Sequence, residues 1–253
     1  MNSDLVSIIT PAYKAAKIIG ETIASVQGQS YPHWEMLIAE DCGPDDTRAV
    51  VRDLAKHDPR IRLIEPKRNG GPAAARNLAL AAAHEGRWFA FLDSDDLWLP
   101  EKLERQVAFH RDSGGATISF TGYRRISADG GRTGSYKGVP RRLDYRGLLG
   151  NTAILTSTVM VDRMKSGAFV MPHCYYDDFA CWLALLKPGG YAVGLDEDLA
   201  RYRVLEASVS RDKSNSAKEV WKTYREVEGL GPLEAARHFG SYAAHAAAKY
   251  FRF

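Results

Sequence analysis

Cysteine is scarce in this chain: Cys42, Cys174 and Cys181 are the whole complement among 253 residues. An odd number without metal-ligand spacing excludes a disulfide framework and a structural zinc centre, and fits a reducing compartment. Long apolar runs are missing as well. No stretch approaches the roughly 18 apolar residues that cross a bilayer. Met1-Asn2-Ser3-Asp4 carries neither the basic nor the apolar segment of a secretion signal. The expected location is therefore the cytoplasm, with peripheral membrane contact left open. Charge of one sign is also lacking. With 34 basic and 31 acidic residues the net charge is +3, which gives no ground for a nucleic-acid partner. No internal repeat is present.

What is there is the composition of a globular enzyme, 45% hydrophobic and 26% charged, in a length that suits one large α/β domain. Val6 to Thr10 is a β-rich run closed by Pro11. Ile18, Ile19, Ile23 and Val26 recur at helical spacing, and Gly28 lies near the helix end. Further strands are expected at 34–39, 61–64, 88–92 and 116–120. Helices at about 46–55, 72–84 and 100–110 separate them. Pro72 suits the first turn of its helix, and Gly86 reads as the stop. This βαβαβαβαβ order predicts a mostly parallel sheet with helices on both faces.

Beyond residue 120 the pattern loosens. Residues 124–142 read as an exposed loop or hairpin, and 156–161, 191–195 and 199–204 as short strands. Asp177 and Asp178 precede the helical run Phe179 to Leu186. In the tail, Phe239, Tyr242, Ala243, Ala246 and Tyr250 share one helical face, while Arg237, His245, Lys249 and Arg252 share another. Such a basic amphipathic helix covers a core, makes a dimer contact or lies on an anionic membrane.

Ligands of parallel sheets bind at the carboxyl ends of strands. Thr10, Asp41 and the run Asp93-Ser94-Asp95-Asp96 all fall at such ends. Carboxylates that close repel one another, and a cation relieves the repulsion. Hard divalent ions such as Mg²⁺ or Mn²⁺ take oxygen ligands and bring phosphates with them. The second acidic pair, Asp177-Asp178, is a candidate base. A cation site with a separate carboxylate reads as transfer chemistry on a phosphate-bearing substrate.

Four segments occur in order: Val6-Ser7-Ile8-Ile9-Thr10-Pro11-Ala12-Tyr13, Glu40-Asp41, Gly70-Gly71-Pro72-Ala73-Ala74-Ala75-Arg76-Asn77 and Phe91-Leu92-Asp93-Ser94-Asp95-Asp96. Together they resemble the family 2 glycosyltransferases, over about residues 4–205. The resemblance implies an α/β GT-A fold, a Rossmann-like, mostly parallel sheet flanked by helices. It implies a domain over 1–210, with a nucleotide-binding half to about 120 and an acceptor half over 121–210. A helical tail over 211–253 would follow, contacting membrane or a second copy. The implied reaction is inverting transfer from a nucleotide sugar, a UDP-sugar foremost, to a glycan or lipid-linked acceptor in surface polysaccharide synthesis.

The same resemblance assigns Thr10, Pro11, Tyr13, Asp41 and Arg76 to the nucleotide, with Asp41 accepting the imide hydrogen of uracil. Asp93, Ser94 and Asp95 would meet ribose and diphosphate. Asp95 or Asp96 would hold Mn²⁺ or Mg²⁺. Asp178 would be the catalytic base, paired with Asp177 ahead of Trp182. Bland readings stand beside these. Asp41 also suits an Asx-turn before Gly43, Asp95 or Asp96 a helix cap, and Asp177 and Asp178 the cap of their own helix. Arg76 also suits a surface ion pair.

Relatives often carry a histidine shortly after a Tyr-Arg pair, where this chain has Tyr202-Arg203-Val204-Leu205-Glu206. Arg201, Arg203 or Arg211 is expected to hold the diphosphate instead. Two rival functions remain. A dehalogenase-like phosphohydrolase also places Asp-x-Asp after a strand. It uses the first strand, however, and prefers Thr or Val where Leu97 stands. A nucleotide- or glycan-binding module without activity is the other.

Overall fold

The computed structural model describes residues 2–84, 86–205 and 213–248. Four strands form the first half of the sheet: β1 (Asn2–Ala12), β2 (Trp34–Glu40), β3 (Ile61–Ile64) and β4 (Gly86–Phe91). They lie side by side as β3-β2-β1-β4, all parallel, with Ile8 opposite Met36 on one side and Ala90 on the other. β2 is buried along its whole length, as expected of a strand covered on both faces. Alternation along β1 divides the core. Val6 and Ile8 pack with α1 (Ile19–Gln27) and α2 (Thr47–Ala55), whereas Ile9 joins α3 (Gly71–Ala82) on the opposite face.

The second half is mixed. It comprises β5 (Leu97–Trp98), α4 (Lys102–Arg111), β6 (Ile118–Ile126), β7 (Thr133–Lys137), β8 (Arg142–Asp144), α5 (Tyr145–Leu149), β9 (Met160–Asp162), α6 (Arg163–Ser166), α7 (Asp177–Leu186) and β10 (Tyr191–Arg203). β9 enters antiparallel between β4 and β6, so β6 and its parallel neighbour β10 run in the same direction as β1–β4. The expected hairpin in 124–142 is β7 folded back on β6.

Several local expectations are corrected. Gly86 does not stop α3, which ends at Ala82; it opens β4. Its glycine identity answers to the neighbouring strand, because a Cβ there would meet the Leu5 carbonyl oxygen at 2.8 Å. Residues 156–158 form a 3₁₀ turn, and only Met160–Asp162 pair as a strand. The two strands expected at 191–195 and 199–204 are one strand, β10, with register shifts around Asp198. A bulge there turns out the polar Asp196-Glu197-Asp198 that broke the apolar alternation. β5 escaped notice because two residues carry no period.

α8 (Lys213–Lys222) and α9 (Pro232–Ala248), joined through a π turn at Thr223–Val227, return to the core. Val220, Tyr224, Leu230 and Ala235 are buried in it, and Phe239 and Tyr242 pack against it. Trp221 meets Phe239 edge-on at 5.7 Å. Arg211, Lys249, Tyr250 and Arg252 lie outside the described residues. Among those described, no helix is long and apolar enough to cross a membrane.

Candidate active site

Small side chains bring α3 close to the sheet: Ala73, Ala75 and Ala79 pack beside Ile9, Leu37 and Phe91. The same approach buries Arg76 on the inner side of the helix. Its guanidinium reaches two acidic centres, donating Nη2 to Asp93 at 2.6 Å and Nη1 to Asp177 at 2.7 Å. Burial works against the Arg76 charge, and Asp93, Asp177 and Asp178 outweigh it. One arginine thus ties the loop after β4 to the start of α7. The sequence resemblance assigns Arg76 to the nucleotide, and the fold shows that it also bridges carboxylates.

The loop after β4 holds two kinds of aspartate. Asp95 is partly exposed; burial and then the charge of Asp93 push its carboxyl up to about 6. Asp96 points inward and is fully buried. Its oxygens accept from the Ser157 hydroxyl at 2.5 Å and the Arg203 backbone N–H at 2.8 Å. Asp96, expected as a metal ligand, uses both of its oxygens to brace the loop. The Ser94 carbonyl accepts from Thr22 on α1.

Arg203, expected at the diphosphate, is engaged by protein groups. Its guanidinium is enclosed and donates to the carbonyls of Asp95 and Ala128 and to Glu21. Arg201 pairs with Asp198 at 2.5 Å. Both arginines lie on β10 and fix its neighbours, which sequence spacing cannot distinguish from a ligand role. Arg211 lies outside the described residues.

Asp177 and Asp178 occupy the first turn of α7, where the helix N-terminus favours negative charge. They diverge in surroundings. Asp177 is buried and paired with Arg76, which makes it an anchor beside Asp178. Asp178 is half-buried, and the Thr156 hydroxyl donates to its Oδ2 at 2.5 Å. Thr156 and Ser157 are adjacent, and Ser157 Oγ also accepts the Asp93 N–H at 3.0 Å. This dipeptide holds the aspartate loop with one residue and Asp178 with the next. Sequence reasoning missed it, since Thr-Ser-Thr read only as part of a strand.

On the other flank, Asp41 is buried, and its carboxylate accepts the backbone N–H groups of Gly70 and Gly71 at 2.8 and 2.7 Å. It fastens the N-terminus of α3, which is neither the Asx-turn nor, in this structure, an unengaged acceptor. Thr10 lies inside β1 rather than at its end; it is fully buried, and its hydroxyl has no partner among the described residues. Pro11 is partly exposed and Tyr13 is 48% exposed. Lys14 and Cys42, next to Tyr13 and Asp41, take φ values of 53° and 56°. Non-glycine residues avoid that region, and such strain concentrates at functional sites. A cleft of about 830 Å³ opens beside the Gly70 loop, lined in part by Lys67, Arg68, Asn69 and His173.

The donor set suits a divalent cation in part. Asp93 and Asp95 supply hard oxygens, and the Asp95 carboxyl is raised by burial first and by the charge of Asp93 second. Among the described residues no group of three or more His, Cys, Asp or Glu side chains is placed to hold an ion. Mg²⁺-type sites, however, commonly use one or two carboxylates and complete their shell with substrate phosphates and water.

Known proteins resemble this chain in sequence and in fold. The sequence profile of Glycosyl transferase family 2 matches residues 7–167. TuaG of Bacillus subtilis (strain 168), named as a teichuronic acid biosynthesis glycosyltransferase, is 44% identical over 246 residues, covering 97% of each chain. WfgD of Escherichia coli, a UDP-Glc:alpha-D-GlcNAc-diphosphoundecaprenol beta-1,3-glucosyltransferase, is 36% identical over 223 residues, covering 87% of this chain and 85% of its own. Among solved structures, S. aureus TarS 1-349 in complex with UDP-GlcNAc superposes with a TM-score of 0.72 at 20% identity, over 97% of this chain and 72% of that one. Mannosyltransferase PcManGT from Pyrobaculum calidifontis, in complex with GDP-Man and Mn2+, gives 0.70 at 18% identity, over 100% and 76%. The fold is GT-A, nothing supports the phosphohydrolase reading, and the chain belongs to glycosyltransferase family 2.

Proposed function

We propose that this glycosyltransferase moves a sugar from a UDP-sugar to a hydroxyl of a glycan or lipid-linked sugar, with inversion and with Asp178 as base. The observation that carries the reading is the division of labour around Arg76. It holds Asp93 on the donor side and Asp177 on the acceptor side, leaving Asp178 half-buried and oriented by Thr156. The relatives' names support donor and acceptor class: WfgD uses UDP-Glc and a diphosphate-linked GlcNAc.

In the reaction, Asp178 takes the proton of the acceptor hydroxyl as its oxygen attacks the anomeric carbon. The bond from that carbon to the diphosphate oxygen breaks on the opposite side, and the electron pair leaves with the nucleoside diphosphate. One displacement inverts the centre. Asp93 and Asp95 would hold Mn²⁺ or Mg²⁺, which supplies charge neutralisation at the leaving diphosphate. The Arg76 bridge keeps donor and acceptor carboxylates at a fixed separation, and Ser157 holds the Asp93 backbone in place.

Thermal unfolding with UDP, GDP, CDP and dTDP, each with and without Mn²⁺, tests the donor assignment. Ligand that binds only the folded state raises the melting temperature. UDP with Mn²⁺ is expected to give the largest rise, lost in Asp95→Asn. No rise with any nucleotide would overturn the assignment.

A further inference from the structure

Away from the carboxylates, a cavity of about 530 Å³ opens between α5 and α9. Its volume falls within the range of small-molecule sites. Arg146 projects into it from α5, Arg237, His238 and His245 from α9, and Glu234 is its one acidic wall residue. Neither Arg146 nor Arg237 makes a hydrogen bond or ion pair among the described residues. The arginines of the central site do otherwise: Arg76 and Arg203 are enclosed, and each donates to two or more protein groups. Two arginines against one acidic side chain leave the wall of this concavity with more positive than negative charge. An anion with several oxygens complements that charge, because the planar fork of arginine matches phosphate in pairs of hydrogen bonds.

The walls are fixed. Ser241 of α9 donates to the Gly150 carbonyl at 3.3 Å, and a Cβ on Gly150 would meet the Ser241 oxygen at 2.6 Å. The Tyr224 hydroxyl binds the Leu149 carbonyl, and its ring lies 6.4 Å from that of Phe179, the residue after Asp178. Asn151, on the cavity wall, precedes Thr156 by five residues, so their Cα atoms are at most about 18 Å apart. The cavity wall and the residue that orients Asp178 thus lie on one short segment, 151–156.

We infer that this cavity is an acceptor subsite that binds the phosphate or diphosphate on which the acceptor sugar is carried. The inference rests on the acceptor reading above and adds the place where the anion sits. It gives α9 a part in substrate selection beyond covering the core.

Inorganic pyrophosphate is the probe, titrated calorimetrically into the full chain saturated with UDP and Mn²⁺, so that the donor site is filled. The comparison protein is Arg146→Gln/Arg237→Gln, two exposed positions whose replacement leaves the core intact. Saturable binding weakened about tenfold or more in the variant, with UDP affinity unchanged, is expected. Pyrophosphate binding equal in the two proteins, or absent from both, would overturn the inference. So would a variant that loses only its attachment to phosphatidylglycerol vesicles, since the cavity would then serve a lipid headgroup. A failed donor assignment shows separately, as the absence of any UDP-induced melting shift in either protein.

Discussion

Removing the Arg76 guanidinium would leave Asp93 and Asp177 buried or half-buried with no counter-charge between them. Breaking such a pair from one side costs about 3–5 kcal/mol, so Arg76→Met is expected to lose that much stability in urea titration. Asp178→Asn should behave differently. It keeps the shape of the site, removes the base, and is expected to lower kcat by roughly 10²–10⁴-fold without moving the UDP-induced melting shift. Thr156→Val probes orientation alone. A loss of about tenfold is expected in the parent, and almost none on top of Asp178→Asn, since residues acting as a unit are non-additive. Equal losses in both backgrounds would refute the positioning role. At this scale the sequence picked out the acidic residues and the arginine that gather in the fold. It did not show that Asp96 is buried while Asp95 is partly exposed, because adjacent residues in a loop follow no period.

The elements behave as their local chemistry dictates, and the turn between α2 and β3 shows it. Asp58 accepts from the backbone and guanidinium of Arg60 and from Gln27, and the Arg60 bonds hold its carboxyl down at about 2 against its burial. The unfolded carboxyl titrates near pH ~3.9. A depressed folded value means the stabilisation is present above about pH 4 and is lost as pH falls toward 2. Asp58→Asn should therefore melt lower than the parent at neutral pH, with the gap narrowing between about pH 4 and 2. A gap independent of pH would show that the charge is not the cause. α7 brings both acidic residues of its first turn to the candidate site. β10 is legible only in part, since the bulge at Asp198 interrupts its alternation while the backbone continues unbroken to Arg203.

Across the whole molecule, two hydrophobic clusters occupy the two faces of one ten-stranded sheet, and the carboxylates gather along the ends of β2 and β4 and the start of α7. Ser157, Arg203 and Thr22 brace the aspartate loop. Chelation is accordingly expected to abolish turnover and leave the far-ultraviolet circular dichroism unchanged, with Mn²⁺ or Mg²⁺ restoring activity. Loss of folded signal on chelation would assign the ion a structural part instead. The tail helix docks by Phe239 and Tyr242 on the main core, which matches the core-covering reading of its apolar face.

By itself the sequence determined the alternation of strands and helices through residue 120, the parallel sheet that follows from it, and the carboxylates that mark its ligand end. Periodicity and strand-end placement are local properties, and they survive in one dimension. The tertiary structure decided what each charged group does. Arg76 meets Asp177 across 101 positions and Arg203 meets Glu21 across 182. Whether an arginine binds substrate or braces a loop depends on those distant partners. The cavity between α5 and α9 likewise exists only where two segments remote in sequence pack together, which no spacing within either one records.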